Sequence, residues 1–325
     1  MNVMQLKASD FESDQEVRWC PGCGDYAILK VVKNVLAEIG RSPDEVVFVA
    51  GIGCAARFPY YLSTYGFHTI HGRSAAVATG VKLANPDLDV WVVGGDGDFM
   101  SIGGNHTLHA LRRNVDLNLL LFNNAIYGLT KGQYSPTSPV GTRSPSTPKG
   151  SVEQPVNAVS FALGAGAKFV ARGADTLQTH LPTVLKRAHA YKGASFVEIL
   201  QNCIVYYDGA FGAINDRSES QNVTVRLEHG QPMIFGKDND KGLVFNEKTG
   251  TFEVVELSSL KSDAEVAVHE ETNIDRAFAL AQMEQPGFPV PLGVLFAEPA
   301  PEFVEARGFA GTRSAWDREA LKAVL

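Results

Sequence analysis

Five short runs of β-branched and other apolar residues punctuate the first two hundred positions: EVVFVAG (45–51), LDVWVVGG (88–95), LNLLLFNN (117–124), AKFVA (167–171) and SFVEIL (195–200). Their length and near-continuous apolarity are those of strands buried on both faces. Between them lie stretches with helical periodicity, at 24–39, 73–84, 103–113, 152–164 and 176–190. This alternation leaves few topologies, because crossovers between parallel strands are right-handed and carry helices to both faces of the sheet. The expected fold is α/β, a doubly wound, mainly parallel sheet with a C-terminal extension. Such sheets bind ligands outside the carboxyl ends of their strands. There the chain places Gly51-Ile52-Gly53-Cys54, Gly95-Asp96-Gly97 and Asn123-Asn124, three clusters expected to meet at one crevice.

The remaining sequence divides into a core at 1–204 and an extension at 205–325 that is expected to pack on a partner. In the extension the alternation fades into three short strand-like runs (QPMIFGK, KGLVFNE, TFEVVEL), turns at 238–240 and 248–250, a helix near 271–284 and a Pro-rich tail. Residues 131–150 carry too much Pro, Ser, Thr and Gly for a helix or central strand. They read either as a disordered surface loop or as an ordered lid or partner contact leaving the site. A net charge of −7 argues against sequence-independent binding of nucleic acid. No apolar run reaches the length of a membrane span, and the first residues lack the basic start and apolar stretch of a signal peptide. A cytoplasmic location is expected, where the four cysteines would serve as free thiols, metal ligands or redox residues rather than disulfides.

Asp96 offers a carboxylate, Asn124 a side-chain carbonyl and Ile126 a backbone carbonyl. Hard oxygens of this kind suit magnesium, which fills its octahedron with phosphate oxygens and water. Gly97 permits close backbone approach, and the segment after it opens a helix N-terminus favourable to anions. A magnesium-bound diphosphate is the group this chemistry indicates. Between Gly97 and Asn124 lie 26 residues, and a Gly-Asp-Gly followed at that distance by a strand-borne Asn-Asn resembles the thiamine-diphosphate fingerprint. The cysteines run C-x2-C, a third 31 residues on and a fourth 149 further. That spacing by itself suits zinc or an iron–sulfur cluster equally.

The segments WCPGCGDY, GIGCAARFPYY, HTIHGRSAAVATGVKLANP, GGDGDFMSIGGNH, NNAIYGLTKGQYSPTSP and QNCIVYYD resemble, in order, the β subunit of 2-oxoacid:ferredoxin oxidoreductases, in particular the 2-oxoglutarate:ferredoxin oxidoreductase type. The resemblance implies a thiamine-diphosphate-binding fold. It also implies magnesium on Asp96, Asn124 and the Ile126 carbonyl, and thiamine diphosphate lined by Ile52, Gly53, Cys54, Ala55, His71, Gly97, Asp98, Gly128 and Leu129. For His71, spacing leaves a structural role open beside a phosphate contact. The resemblance further implies one 4Fe–4S cluster on Cys20, Cys23, Cys54 and Cys203. The implied reaction is oxidative decarboxylation of a 2-oxoacid to an acyl-CoA and carbon dioxide, with ferredoxin reduced, and it is reversible in this family. The implied partners are an α subunit carrying the pyrimidine-binding domain, in a heterodimer or dimer of heterodimers, together with ferredoxin and coenzyme A. Lys131 lies beyond the cofactor-binding turn, where a cation would pair with a second, distal carboxylate. It is the expected substrate-carboxylate contact, favouring 2-oxoglutarate over pyruvate or broad 2-oxoacid use. A non-redox thiamine decarboxylase or synthase subunit, and an iron–sulfur electron-transfer module without thiamine chemistry, are the competing readings.

Overall fold

A computed structural model describes residues 6–216 and 218–307. Eleven strands form one sheet: β1 (Val46–Ala50), β2 (Tyr65–His68), β3 (Asp89–Gly95), β4 (Leu117–Asn123), β5 (Phe169–Ala174), β6 (Ala194–Leu200), β7 (Thr224–Leu227), β8 (Ile234–Phe235), β9 (Lys241–Asn246), β10 (Thr251–Glu256) and β11 (Val290–Ala297). Their order across the sheet is β10-β9-β8-β7-β11-β5-β6-β4-β3-β1-β2. Every pairing from β5 through β6, β4, β3 and β1 to β2 is parallel. All five predicted runs are strands in this parallel half.

Each central strand is buried on both sides, and alternate residues feed different cores. Val47 and Val49, Val90 and Val92, and Leu119 and Leu121 enter one core. Val46 and Phe48, Trp91 and Val93, and Leu120 and Phe122 enter the other. The first core is covered by α2 (Ser74–Ala84), α4 (Gly104–Arg113) and α5 (Ala158–Gly164). The second is covered by α1 (Asp25–Ile39) and α6 (Leu181–Ala190). Because side chains alternate with a period of two, a one-residue slip would exchange the two sets, so register is strongly specified. A short helix, α3 (Asp96–Met100), follows β3 directly. The helices expected from 152 and 176 start later. Asn157 caps α5 by accepting from the Ser160 amide, and Pro182 lies in the first turn of α6.

The extension continues the same sheet. The three expected strand-like runs contain β8, β9 and β10, and the expected helix forms at Ile274–Ala281. The expectation of a Pro-rich tail is corrected at 290–297, which is β11, inserted between β5 and β7. Pro291 is tolerated because residues 290–292 pair only with β7, while pairing with β5 begins at Gly293. At Pro291 the strand has one partner, so a missing N–H costs no bond on the open side. The part of the tail beyond 307 lies outside the described residues. Among the described residues no helix is long and apolar enough to cross a membrane.

Candidate functional site

The carboxyl ends of β1, β3 and β4 open into one cleft. Its walls include Ile52, Gly53, Cys54, Ala55, His71, Asp96, Gly97, Asp98, Asn124, Ile126, Gly128 and Leu129. Every residue expected to touch magnesium or the cofactor therefore lines the same space, although they come from loops far apart in sequence. Asp25, Tyr127 and Thr130 join them unforeseen. Lys131 is exposed beyond the last lining residue, with its backbone in the left-handed region at φ 77°.

Asp96 is buried with no basic side chain paired to it. Ser135 Oγ donates to its Oδ2 at 2.5 Å and Thr137 Oγ1 to the same oxygen at 2.6 Å. Burial pushes its pKa up to about 6, against the pull of those two hydroxyls. A buried carboxylate supported only by neutral donors lacks the opposite charge that a cation would supply. Asn124 Oδ1 accepts from the Ile126 amide at 3.2 Å, which curls the chain back over the end of β4. Ala125, at φ 54°, makes the turn. Gly97 does what its size requires, though for a neighbour inside the protein. A Cβ there would collide with the ring of Tyr127, whose hydroxyl donates to the Gly97 carbonyl at 3.1 Å.

Asp98 ties three loops together. Its Oδ1 accepts from Gly72 N at 2.7 Å and Ile52 N at 3.2 Å, and lies 2.8 Å from His71 Nδ1. The His71 contact lacks hydrogen-bond alignment, and neither His71 Nδ1 nor Asp98 Oδ2 has a hydrogen-bond partner. Burial raises the Asp98 pKa despite the two amide donors. His71 is thus both a packed neighbour of Asp98 and a lining group of the cleft.

The loop 131–150 begins as part of the site. Ser135 and Ser138 are buried, and Ser138 Oγ donates to the Ala125 carbonyl at 2.6 Å. Sequence reading left Ser135 and Thr137 unassigned because a Ser/Thr/Pro-rich stretch carries no periodic signal. Their only cue was position, directly after the cofactor-type turn.

The cysteines gather at one end of the cleft. A methyl group on Gly128 would lie 3.5 Å from Cys203 Sγ and 3.6 Å from Cys54 Sγ. The turn bearing Cys20 and Cys23 is stitched to the Cys203 segment by Gly24 N donating to the Asn202 carbonyl at 3.3 Å and Gln201 Nε2 donating to Cys23 Sγ at 3.3 Å. Trp19 Nε1 donates to the Cys54 carbonyl at 2.8 Å. Burial, then the Asp25 carboxylate, then Cys203 and Cys20 push the Cys54 thiol up to about 12. Burial, Asp25 and the thiols of Cys54 and Cys203 raise Cys23 further still. Asp25 is itself buried with both carboxylate oxygens unpartnered, and burial lifts its pKa to about 7. Among the described residues no three His, Cys, Asp or Glu side chains close in tightly enough to hold a single metal ion.

Residues 51–199 match the family model described as thiamine pyrophosphate enzyme, C-terminal TPP binding domain. The 2-oxoglutarate oxidoreductase subunit KorB of Mycobacterium tuberculosis is 52% identical over 276 residues, covering 85% of this chain and 73% of that protein. The β subunit of 2-oxoacid:ferredoxin oxidoreductase 2 of Aeropyrum pernix is 45% identical over 61% of this chain and 64% of its own length. Among solved structures, the 2-oxoglutarate:ferredoxin oxidoreductase of Magnetococcus marinus with 2-oxoglutarate, coenzyme A and succinyl-CoA bound superposes with a TM-score of 0.77 at 31% identity. It covers 99% of this chain and 97% of that one. The fold, the domain match and the cleft agree with these similarities, and the chain belongs to the β subunits of the 2-oxoacid:ferredoxin oxidoreductases, enzymes that oxidise 2-oxoacids with ferredoxin as acceptor.

Proposed function

We propose that this chain holds the diphosphate end of thiamine diphosphate and a 4Fe–4S cluster, and with an α subunit converts 2-oxoglutarate and coenzyme A to an acyl-CoA and carbon dioxide, passing electrons to ferredoxin. The observation that carries this reading is the meeting of Asp96, Asn124 and Ile126 with Cys54 in one cleft. Asp96, the Asn124 side-chain oxygen and the Ile126 carbonyl would hold magnesium, and the lining of Gly53–Ala55, His71, Gly97, Asp98, Gly128 and Leu129 would receive the diphosphate. Asp96, buried and supported only by neutral hydroxyl and amide donors, fits this assignment as the one acidic side chain of the donor set. Thiamine supplies the carbanion and electron-sink chemistry when bound. This chain would supply, at Asp96, the anionic ligand for the cation that neutralises the diphosphate, and a short path from cofactor to cysteines through Cys54.

Four thiols gathered at one end of the cleft suit an iron–sulfur cluster, which is held by cysteine thiolates, and relatives of the chain are named for ferredoxin as acceptor. The raised pKa values of Cys23 and Cys54 also fit, because thiolates disfavoured by burial need a positive centre to form.

An α partner is favoured by the mouth of the cleft. Ile52 and Leu129 line it, and Ile70 and Ile102 flank the Gly72 loop beside it; Ile70 is 69% and Leu129 51% exposed. Exposed apolar side chains grouped around a polar site mark a surface that another chain covers. The assembled complex tests the proposal: purified without oxygen, it should contain thiamine and about four irons per β chain and reduce ferredoxin with 2-oxoglutarate and coenzyme A. Absence of iron would leave the non-redox alternative.

Lys131 is the proposed contact to the distal carboxylate of 2-oxoglutarate. A charge-assisted contact contributes roughly 1.5–3 kcal/mol, so Lys131→Ala should lower kcat/KM for 2-oxoglutarate about 10- to 100-fold. Pyruvate, which has no distal carboxylate, should be nearly unaffected. Equal losses on both acids would assign Lys131 a general loop role, and no loss on either would remove it from the site.

A further inference from the structure

Behind Asp96 a row of buried polar side chains crosses three neighbouring strands. Arg172 on β5 donates from Nε to Glu198 Oε2 on β6 at 2.6 Å. Glu198 Oε1 accepts from Asn123 Nδ2 on β4 at 2.7 Å. Asn123 Oδ1 faces Thr137 Oγ1 at 3.0 Å, and that hydroxyl is the one 2.6 Å from Asp96 Oδ2. Arg172, Glu198 and Asn123 are each less than a tenth exposed. Burying an ion pair costs several kcal/mol per charge (order of magnitude), and apolar residues of similar volume fill such a place as well or better. Packing therefore does not account for this pair.

Its effect is on polarity. A carboxylate only accepts, so Glu198 obliges Asn123 to present its NH2 to β6 and its oxygen to Thr137. The Ala125 amide, donating to the same oxygen at 3.1 Å, agrees with this orientation. Thr137 has one hydroxyl proton and, besides the longer contact to Ser135 Oγ at 3.3 Å, two nearer acceptors, Asp96 at 2.6 Å and Asn123 at 3.0 Å. We propose that Arg172 and Glu198 are positioning residues for the cation–diphosphate site: by fixing the Asn123 amide they give the Thr137 proton an alternative acceptor, so that it leaves Asp96 when a cation claims that carboxylate. The proposal rests on the reading of Asp96 as a magnesium ligand.

Glu198→Gln is nearly isosteric, and the row borders a cavity of about 380 Å³ that leaves room for small adjustments. A glutamine amide must turn its NH2 toward either Arg172 or Asn123, both of which are donors. The Asn123 orientation is then lost or strained. In the Arg172→Met, Glu198→Gln double variant the competing donor is gone, and the introduced amide oxygen on β6 is free to accept from Asn123.

The measurement is calorimetric binding of thiamine diphosphate, with the magnesium concentration varied, to the assembled complex stripped of thiamine by chelation and dialysis. Thermal melting and iron content serve as controls for folding. Partners that orient metal ligands typically govern affinity by roughly 10- to 100-fold. Glu198→Gln should weaken magnesium-dependent binding by about that factor, and the double variant should recover most of the loss. A double variant as weak as the single one would attribute the loss to packing and overturn the proposal. Unchanged affinity in Glu198→Gln, beside lost binding in Asp96→Ala, would overturn the positioning role while leaving the site reading intact. Retained binding in Asp96→Ala would instead overturn the site reading itself. Should Glu198→Gln fail to fold, Asn123→Leu, which removes the alternative acceptor, must show the same weakening, and adding Thr137→Val, which removes the competing proton, must recover it; unchanged binding in Asn123→Leu also overturns the proposal.

Discussion

Asp96→Ala is expected to yield a folded protein, with its iron centre intact, that retains no thiamine diphosphate at micromolar cofactor and has no turnover. The reason is electrostatic. Asp96 is the only carboxylate in the proposed magnesium donor set, and without it the buried site loses the negative ligand that would hold the cation against the diphosphate. Removing one partner of a buried charge interaction typically costs about 3–5 kcal/mol, or roughly two to three and a half decades in affinity. The two hydroxyls that now donate to Asp96 would lose their acceptor, so some loss of stability is expected from alanine alone. Asp96→Asn separates the effects, because its side-chain oxygen still accepts from Ser135 or Thr137 while the charge is gone. Both variants should lose the cofactor, and the asparagine variant should melt close to the parent. Normal thiamine content in either would remove Asp96 from the metal site.

Cys203→Ala should produce the complementary phenotype. Iron and acid-labile sulfide should fall well below the parent level, ferredoxin reduction should stop, and magnesium-dependent thiamine binding should persist. Cys203 lies 149 residues beyond Cys54, yet both sulfurs flank Gly128 at the cleft wall. The C-x2-C turn is tied to the segment bearing Cys203 through Gly24 and Gln201. Iron analysis, the visible spectrum and thiamine quantification on the same anaerobic preparation distinguish the outcomes. A full, redox-active cluster in the variant would mean a different fourth ligand. Zinc as the native metal would remove the electron-transfer role altogether. Cys203→Ser gives a further check, since an oxygen ligand that keeps a cluster should leave it with altered redox behaviour.

These two sites were legible in the linear chain for different reasons. The residues proposed for magnesium and diphosphate, His71 apart, lie in the segments after β1, β3 and β4, whose apolar runs are unmistakable, so their convergence at the carboxyl ends could be read from topology. The cysteines were legible as a set; their spacing did not say which metal they would serve, and it was the resemblance that placed Cys54 both among them and in the cofactor lining. Ser135 and Thr137 were not legible. Nothing local distinguishes a hydroxyl that supports a buried carboxylate from one exposed in a loop rich in Ser, Thr and Pro. The strands β2, β7 and β11 were missed because the first two are only four residues long, β2 an exposed edge strand, and the third carries Pro291. A proline argues against a central strand until the split pairing on its two sides is seen.

The sequence by itself determined the parallel core, the end of the sheet at which a ligand would lie, and the residue types available there, because strand burial and crossover handedness are set by local pattern and chirality. Only the tertiary structure decided which groups act on one another: the two hydroxyls on Asp96, the ring of Tyr127 over Gly97, the unpartnered Asp25 beside the thiols, and the row from Arg172 to Thr137. Those are contacts between residues far apart in the chain, each made through only one or two polar atoms. A hydrogen bond depends on distance and direction to within a few tenths of an ångström, and that precision exists only once the two cores have packed and the sheet has set its register.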